Sequence, residues 1–129
     1  MRRAGRVRPS GPADRGQATV ETALLLPIIA LAMLAVIQIG LVVHARVMVT
    51  HAAREGVRAA AVHAGDREIR DVVIASGGLA GDRLAVRHHS SGDRVTVTVR
   101  YDAPTNVPLI GSLIGDVELV AEATMRRED

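Results

Sequence analysis

The 129-residue chain has no cysteine, phenylalanine, tryptophan or lysine. Without thiols, a disulfide framework, a zinc ribbon and thiol catalysis are all excluded, while the redox compartment stays open. All 16 basic residues are arginine. Beside the many Ala, Val and Gly, this reads as base-composition bias rather than selection at a site. Tyr101 is the single aromatic in a chain that is 48% hydrophobic. A soluble core usually packs around large aromatics, so this apolar content has another use.

The basic pI of 10.3 invites a nucleic-acid reading, which the distribution of charge rejects. Residues 1–16 hold five arginines (Arg2, Arg3, Arg6, Arg8, Arg15) against Asp14 alone, and residues 17–129 hold eleven arginines against thirteen acids. The basicity is a short head. No basic patch interleaved with aromatics is left to follow a phosphate backbone.

From Thr22 to Ala45 the chain runs 24 residues without an acid or an arginine. About 20 apolar residues cover the hydrocarbon core of a bilayer, so this run predicts a transmembrane helix. Pro27 removes one backbone hydrogen bond and predicts a kink. Gln38 and Gly40 are interruptions that membrane helices tolerate. The arginine-rich flank places the N-terminus in the cytoplasm and the C-terminal two thirds outside, in the cell (inner) membrane of a single-pass protein. A secretory signal peptide is the rival reading, with Ala30-Leu31-Ala32 as the cleavage site. Against it, apolar sequence continues to Val43, whereas a peptidase site normally ends the apolar stretch.

Glu21 lies at the cytoplasmic edge of this run, five residues past Gly16. One reading is a first-turn carboxylate placed favourably against the helix dipole. The other is an ionisable group within a membrane segment that requires a partner. The junction Arg15-Gly16-Gln17-Ala18-Thr19-Val20-Glu21 followed by an unbroken apolar helix resembles a type IV prepilin N-terminus. The stretch Ala53-Arg54-Glu55-Gly56-Val57-Arg58-Ala59-Ala60 resembles the Ala-Arg-Glu-Gly-x-Arg-x-Ala segment of TadE-like proteins, pseudopilins of the tight-adherence (Tad/Flp) pilus and secretion system. One departure is Thr22, where that family more often carries Phe or Tyr.

The resemblance implies a structural minor pilin or pseudopilin and no enzyme. It implies cleavage after Gly16 by a prepilin peptidase, with Arg15, Gly16 and Gln17 as the junction and residues 1–16 as a discarded leader. Glu21 would pair with the new α-amino group of a neighbouring subunit, in the low dielectric where such a pair has its largest effect. The implied partners are the membrane, other pilins, the peptidase and a Tad-type membrane platform, with incorporation into a surface pilus as one destination. No nucleic acid or small-molecule substrate is implied. The alternative is an uncleaved single-pass protein with an external binding head.

The helix is expected to continue past the bilayer over residues 17–63, about 69 Å if it ends at Val62, at 1.5 Å per residue. Its transmembrane part covers about 22–45. His44, His51, Glu55 and Arg58 fall near one face, with Glu55–Arg58 as an intrahelical pair. The competing use of that stripe is a contact between subunits. Val42, Val49, Ala53, Val57 and Ala60 line other faces.

Residues 64–129 predict an α+β head. Asp66 reads as the N-cap of a short helix over Arg67–Ala75, stopped by Gly77-Gly78. Leu84–His88, Arg94–Tyr101 and Val117–Met125 read as strands of a three-stranded antiparallel sheet, the first two joined by a turn at Ser90–Asp93. The loop Asp102–Asp116 repeats Leu-Ile-Gly at Leu109-Ile110-Gly111 and Leu113-Ile114-Gly115. Its four large aliphatics either cap the sheet or form an exposed contact patch.

No catalytic constellation, cofactor site or metal site is expected. The serines occupy turns or loops outside any Gly-x-Ser-x-Gly elbow, and no glycine-rich phosphate loop follows a strand. His44 and His51 lie about 10 Å apart along the helix, too far for one ion, and His88 and His89 point to opposite faces of a strand.

Overall fold

The computed structural model describes residues 12–62, 64–109 and 111–127, with side chains from Gly16 onward. Most of the expected leader, together with His63, Ile110, Glu128 and Asp129, lies outside the described residues.

Helix α1 runs from Pro12 to Ala61 over 50 residues, about 75 Å. It starts five residues earlier than expected. Proline suits a helix start because its missing N–H would have no intrahelical partner there. The helix continues through Pro27, so the lost hydrogen bond does not end it. After the break at Ala64-Gly65, α2 spans Asp66–Gly77.

Asp66 is the first residue of α2 and not its cap. Gly65 holds the N-cap position in extended conformation, without a side-chain capping bond. The Gly65 carbonyl accepts from Ile69 N–H at 2.9 Å to close the first turn. The Asp66 carboxylate instead lies 3.5 Å from His88 Nε2.

Strands β1 (Leu84–Ser91), β2 (Arg94–Ala103) and β3 (Val117–Arg126) form an antiparallel sheet in the order β1-β2-β3. The hairpin turn is Gly92-Asp93, and Gly92 has φ 60°. A positive φ at the first central residue matches the right-handed strand twist, and glycine adopts it without steric cost. Strand β2 alternates, with Val95, Val97, Val99, Tyr101 and Ala103 buried. Within the predicted connecting loop, Gly111–Ile114 forms a single helical turn, α3.

The head has two layers. The outer half of α1 packs across β2 and β3, and α2 lies beside it toward β1. The inward face of α1 is Val49, Ala52, Ala53, Gly56, Val57, Ala60 and Ala61. Small side chains let the sheet approach closely, so β-branched residues fill the core where aromatics are absent. Arg70 fixes α2 to the lead-in of β1, donating to the carbonyls of Gly81 at 2.8 Å and Leu84 at 3.3 Å.

The connection between β2 and β3 is held by polar contacts. Thr105 Oγ1 donates to the Gly115 carbonyl at 2.6 Å, and Arg83 donates to Asp116 at 2.8 Å. The Thr105 N–H and then Arg83 hold the Asp116 carboxyl below its ordinary value of 3.8. A depressed folded pKa means that this group supports the fold above its ordinary range and loses that support as pH falls through the folded value. In an acid titration followed by NMR, the Thr105 amide should therefore shift with a midpoint below 3.8. A midpoint at or above that value would contradict the contact.

Candidate functional site

The expected cleavage junction occupies the first turns of α1. Gly16 and Gln17 are exposed, and a Cβ added at Gly16 would meet nothing within 4 Å. Arg15 is helical, with its side chain outside the described part. Gly16, Gln17, Val20, Glu21 and Leu24 line one shallow groove. The structure thus brings Glu21 onto the same face as the junction, one turn from Gln17. Glu21 is exposed and forms no ion pair among the described residues.

From Gly16 to Met33, every residue of α1 is exposed. The arm exposes a ladder of aliphatics that includes Leu24, Ile28, Met33, Val36, Ile39 and Val43. It is the one helix among the described residues long and apolar enough to cross a membrane. Leaving each such side chain in water forfeits about 1.5–3 kcal/mol of burial, so the arm calls for lipid or the helices of other subunits.

The motif at residues 53–58 separates into two faces. Ala53 and Gly56 are buried against the head, Arg54 and Arg58 are exposed, and Glu55 is partly exposed. The expected Glu55–Arg58 pair is absent from the ion pairs of the described residues, which join Arg83 to Asp116, His88 to Asp66, Arg100 to Glu118 and Arg126 to Asp93. An exposed pair at this spacing gains only tenths of a kcal/mol, too little to hold two long side chains together.

Two features escaped the sequence reading. Gly56, named there only within the Ala-Arg-Glu-Gly stretch, sits where α1, α2 and β2 meet. A Cβ at this position would lie 2.6 Å from Val73 Cγ2 and 3.3 Å from Val97 Cγ1. The available signal was the run of small residues at helical spacing around it, Ala52, Ala53 and Ala60. Gln38, read as a tolerated interruption, is 5% exposed, and its side-chain oxygen and nitrogen have no hydrogen-bond partner. Nothing in the local sequence marks a glutamine as covered.

His44 and His51 are exposed on α1, and no group of three potential metal-binding side chains occurs among the described residues.

Residues 16–58 match the sequence model of the family described as TadE-like protein. The match begins at the junction glycine and ends at Arg58, so it takes in most of both stretches on which the resemblance rests and about a third of the chain. No curated protein and no solved structure matches the chain significantly.

Proposed function

From the TadE-like character of residues 16–58, we propose that this chain is a minor pilin or pseudopilin of a Tad/Flp-type pilus or secretion system. It is inserted in the cell membrane with its N-terminus cytoplasmic and its head outside. A prepilin peptidase removes residues 1–16 by cutting after Gly16. The mature subunit then assembles with other pilins through α1, on a Tad-type membrane platform. Its role is structural.

The observation that carries this reading is the bare aliphatic arm of α1 with one carboxylate at its start. After cleavage the α-amino group of Gln17 lies one turn from Glu21 of the same subunit, on the same face. A neighbour displaced along the fibre axis can bring its own Glu21 to that amine. In a low dielectric the pair favours the stagger that makes it, and a missing partner leaves a costly unpaired charge. Glu21→Ala should therefore abolish most co-purification with partner pilins while leaving the mature mass unchanged. Normal recovery with partners would reduce Glu21 to a helix-start residue.

The uncleaved single-pass protein is the second reading. It is favoured by the continuity of α1 through residues 15–17, because a peptidase requires extended backbone at the bond it cuts and this segment must first unwind.

A further inference from the structure

The connection between β2 and β3 lies at the membrane end of the head. Gly56 of α1 faces Val97, whereas Leu41, Val42, Ala45 and Met48 line a groove with Tyr101, Ala103, Pro104 and Asn106. Strand β2 therefore descends along α1 toward its N-terminal half, and β3 climbs back, with Val117 paired to Ala103 and Met125 to Val95. If the hydrocarbon core begins after Glu21, about 20 helical residues bring its far edge near Leu41. Pro104 and Asn106 then sit at headgroup level.

Three further observations bear on this connection. The segment from Ala103 to Gly115 carries no charge, between Asp102 and Asp116. Its Leu109, Leu113 and Ile114 are 63%, 82% and 63% exposed, more than any other large aliphatic of the head beyond α2. They do not cap the sheet. Finally, Gln38 lies a turn deeper than Val42 and is buried, while Ile37 and Ile39 beside it are exposed. Burial on one side of a helix requires a covering segment. Leu34, Ala35, Val42 and Ala45 are partly buried along the same stripe, and Val107 is buried without belonging to the main core. A descending 104–116 connection accounts for both.

We propose that this connection is a lipid-interface foot. Leu109, Leu113 and Ile114 insert among the headgroups and upper acyl chains beside the exit of α1, where Leu41 and Val43 of the helix are exposed as well. The foot keeps lipid from the Gln38 amide, a group that hydrocarbon cannot hydrogen-bond. It also sets the depth at which the helix sits. The proposal rests on α1 spanning the membrane, so its test carries a separate probe for that.

The chain has no native cysteine, which permits single-site labelling of the full chain. Leu113→Cys, Val36→Cys and Ser90→Cys, each carrying an environment-sensitive fluorophore, are reconstituted in phosphatidylcholine–phosphatidylglycerol vesicles. Nitroxide lipids labelled high on the acyl chain serve as quencher, and aqueous iodide as the complementary one. Positions 90 and 113 lie in the head and position 36 on the arm, and all three are exposed, so the fold should tolerate the label. The foot predicts loss of fluorescence to nitroxide lipid at positions 36 and 113 and none at 90. Quenching at 36 with 113 behaving like 90 would overturn the foot while leaving the membrane helix intact. Protection of 113 from iodide without quenching by lipid would mean a second protein surface covers it, which also overturns the proposal. No quenching at 36 would remove the spanning helix and the foot together.

Discussion

Gly56→Leu is expected to unfold the head at temperatures where the unaltered protein is stable. The junction of α1, α2 and β2 is already full, since even a Cβ there would approach Val73 Cγ2 to 2.6 Å. Three more carbons have to displace Val73 and Val97, both at 0% exposure, and overpacking of a filled core costs about 1–3 kcal/mol or more. Gly56→Ala should cost less. Its single carbon still forces the stiff, buried Val73 side chain to move, but it adds less volume than leucine, and alanine recovers about 1 kcal/mol of helix propensity. Gly65→Ala is the control, because a Cβ there meets nothing within 4 Å. Thermal unfolding in detergent, followed by circular dichroism and by amide exchange in β2, reads the series. The account predicts the order Gly65→Ala, Gly56→Ala, Gly56→Leu in increasing destabilisation. A leucine variant that melts with the parent would show that the three elements do not meet as described.

Gly16→Asp is expected to abolish the mature form. The position is exposed and a Cβ there meets nothing within 4 Å, so the substitution should leave the head unaltered. Only a peptidase that demands a glycine at the junction would register it. Coexpression with a prepilin peptidase and immunoblotting for the head should show the precursor alone, against conversion of the parent. Conversion of the variant at the parent's rate would count against processing at this bond.

The sheet was the most legible part of the sequence because its alternation has one physical cause. Val95, Val97, Val99 and Tyr101 all turn to the same helices, and each is buried. Of the residues set on the other faces of α1, Val49, Ala53, Val57 and Ala60 are buried and Val42 is partly so. Strand ends were less legible. Strand β1 extends three residues past His88, to Ser91, because the ladder with β2 is held by backbone bonds and not by the polar side chains of Ser90 and Ser91.

What the sequence concealed depended on contacts between distant segments. Asp66 has the chemistry of a cap, yet His88 from β1 lies within reach of its carboxylate. Gly56 is a helix-weakening residue by propensity and a packing necessity by position. At the candidate site, Glu21 was legible as a charge out of place, since its meaning lies in the run that follows it. Gln38 was not, because its burial leaves no mark on the apolar residues that surround it in sequence. The absence of aromatics acquires a physical sense in the same way. Alanines on α1 and valines on β2 give a close two-layer head, and the remaining aliphatics clothe the arm.

The functional protein is expected to begin at Gln17. Intact-mass and N-terminal peptide analysis of the chain, recovered from the membranes of cells that carry a prepilin peptidase, tests it most directly. The account predicts a protein that starts at Gln17 and has lost the five arginines of residues 1–16. A protein that starts at Met1 would contradict it, and so would one that starts at Met33 after loss of the apolar arm.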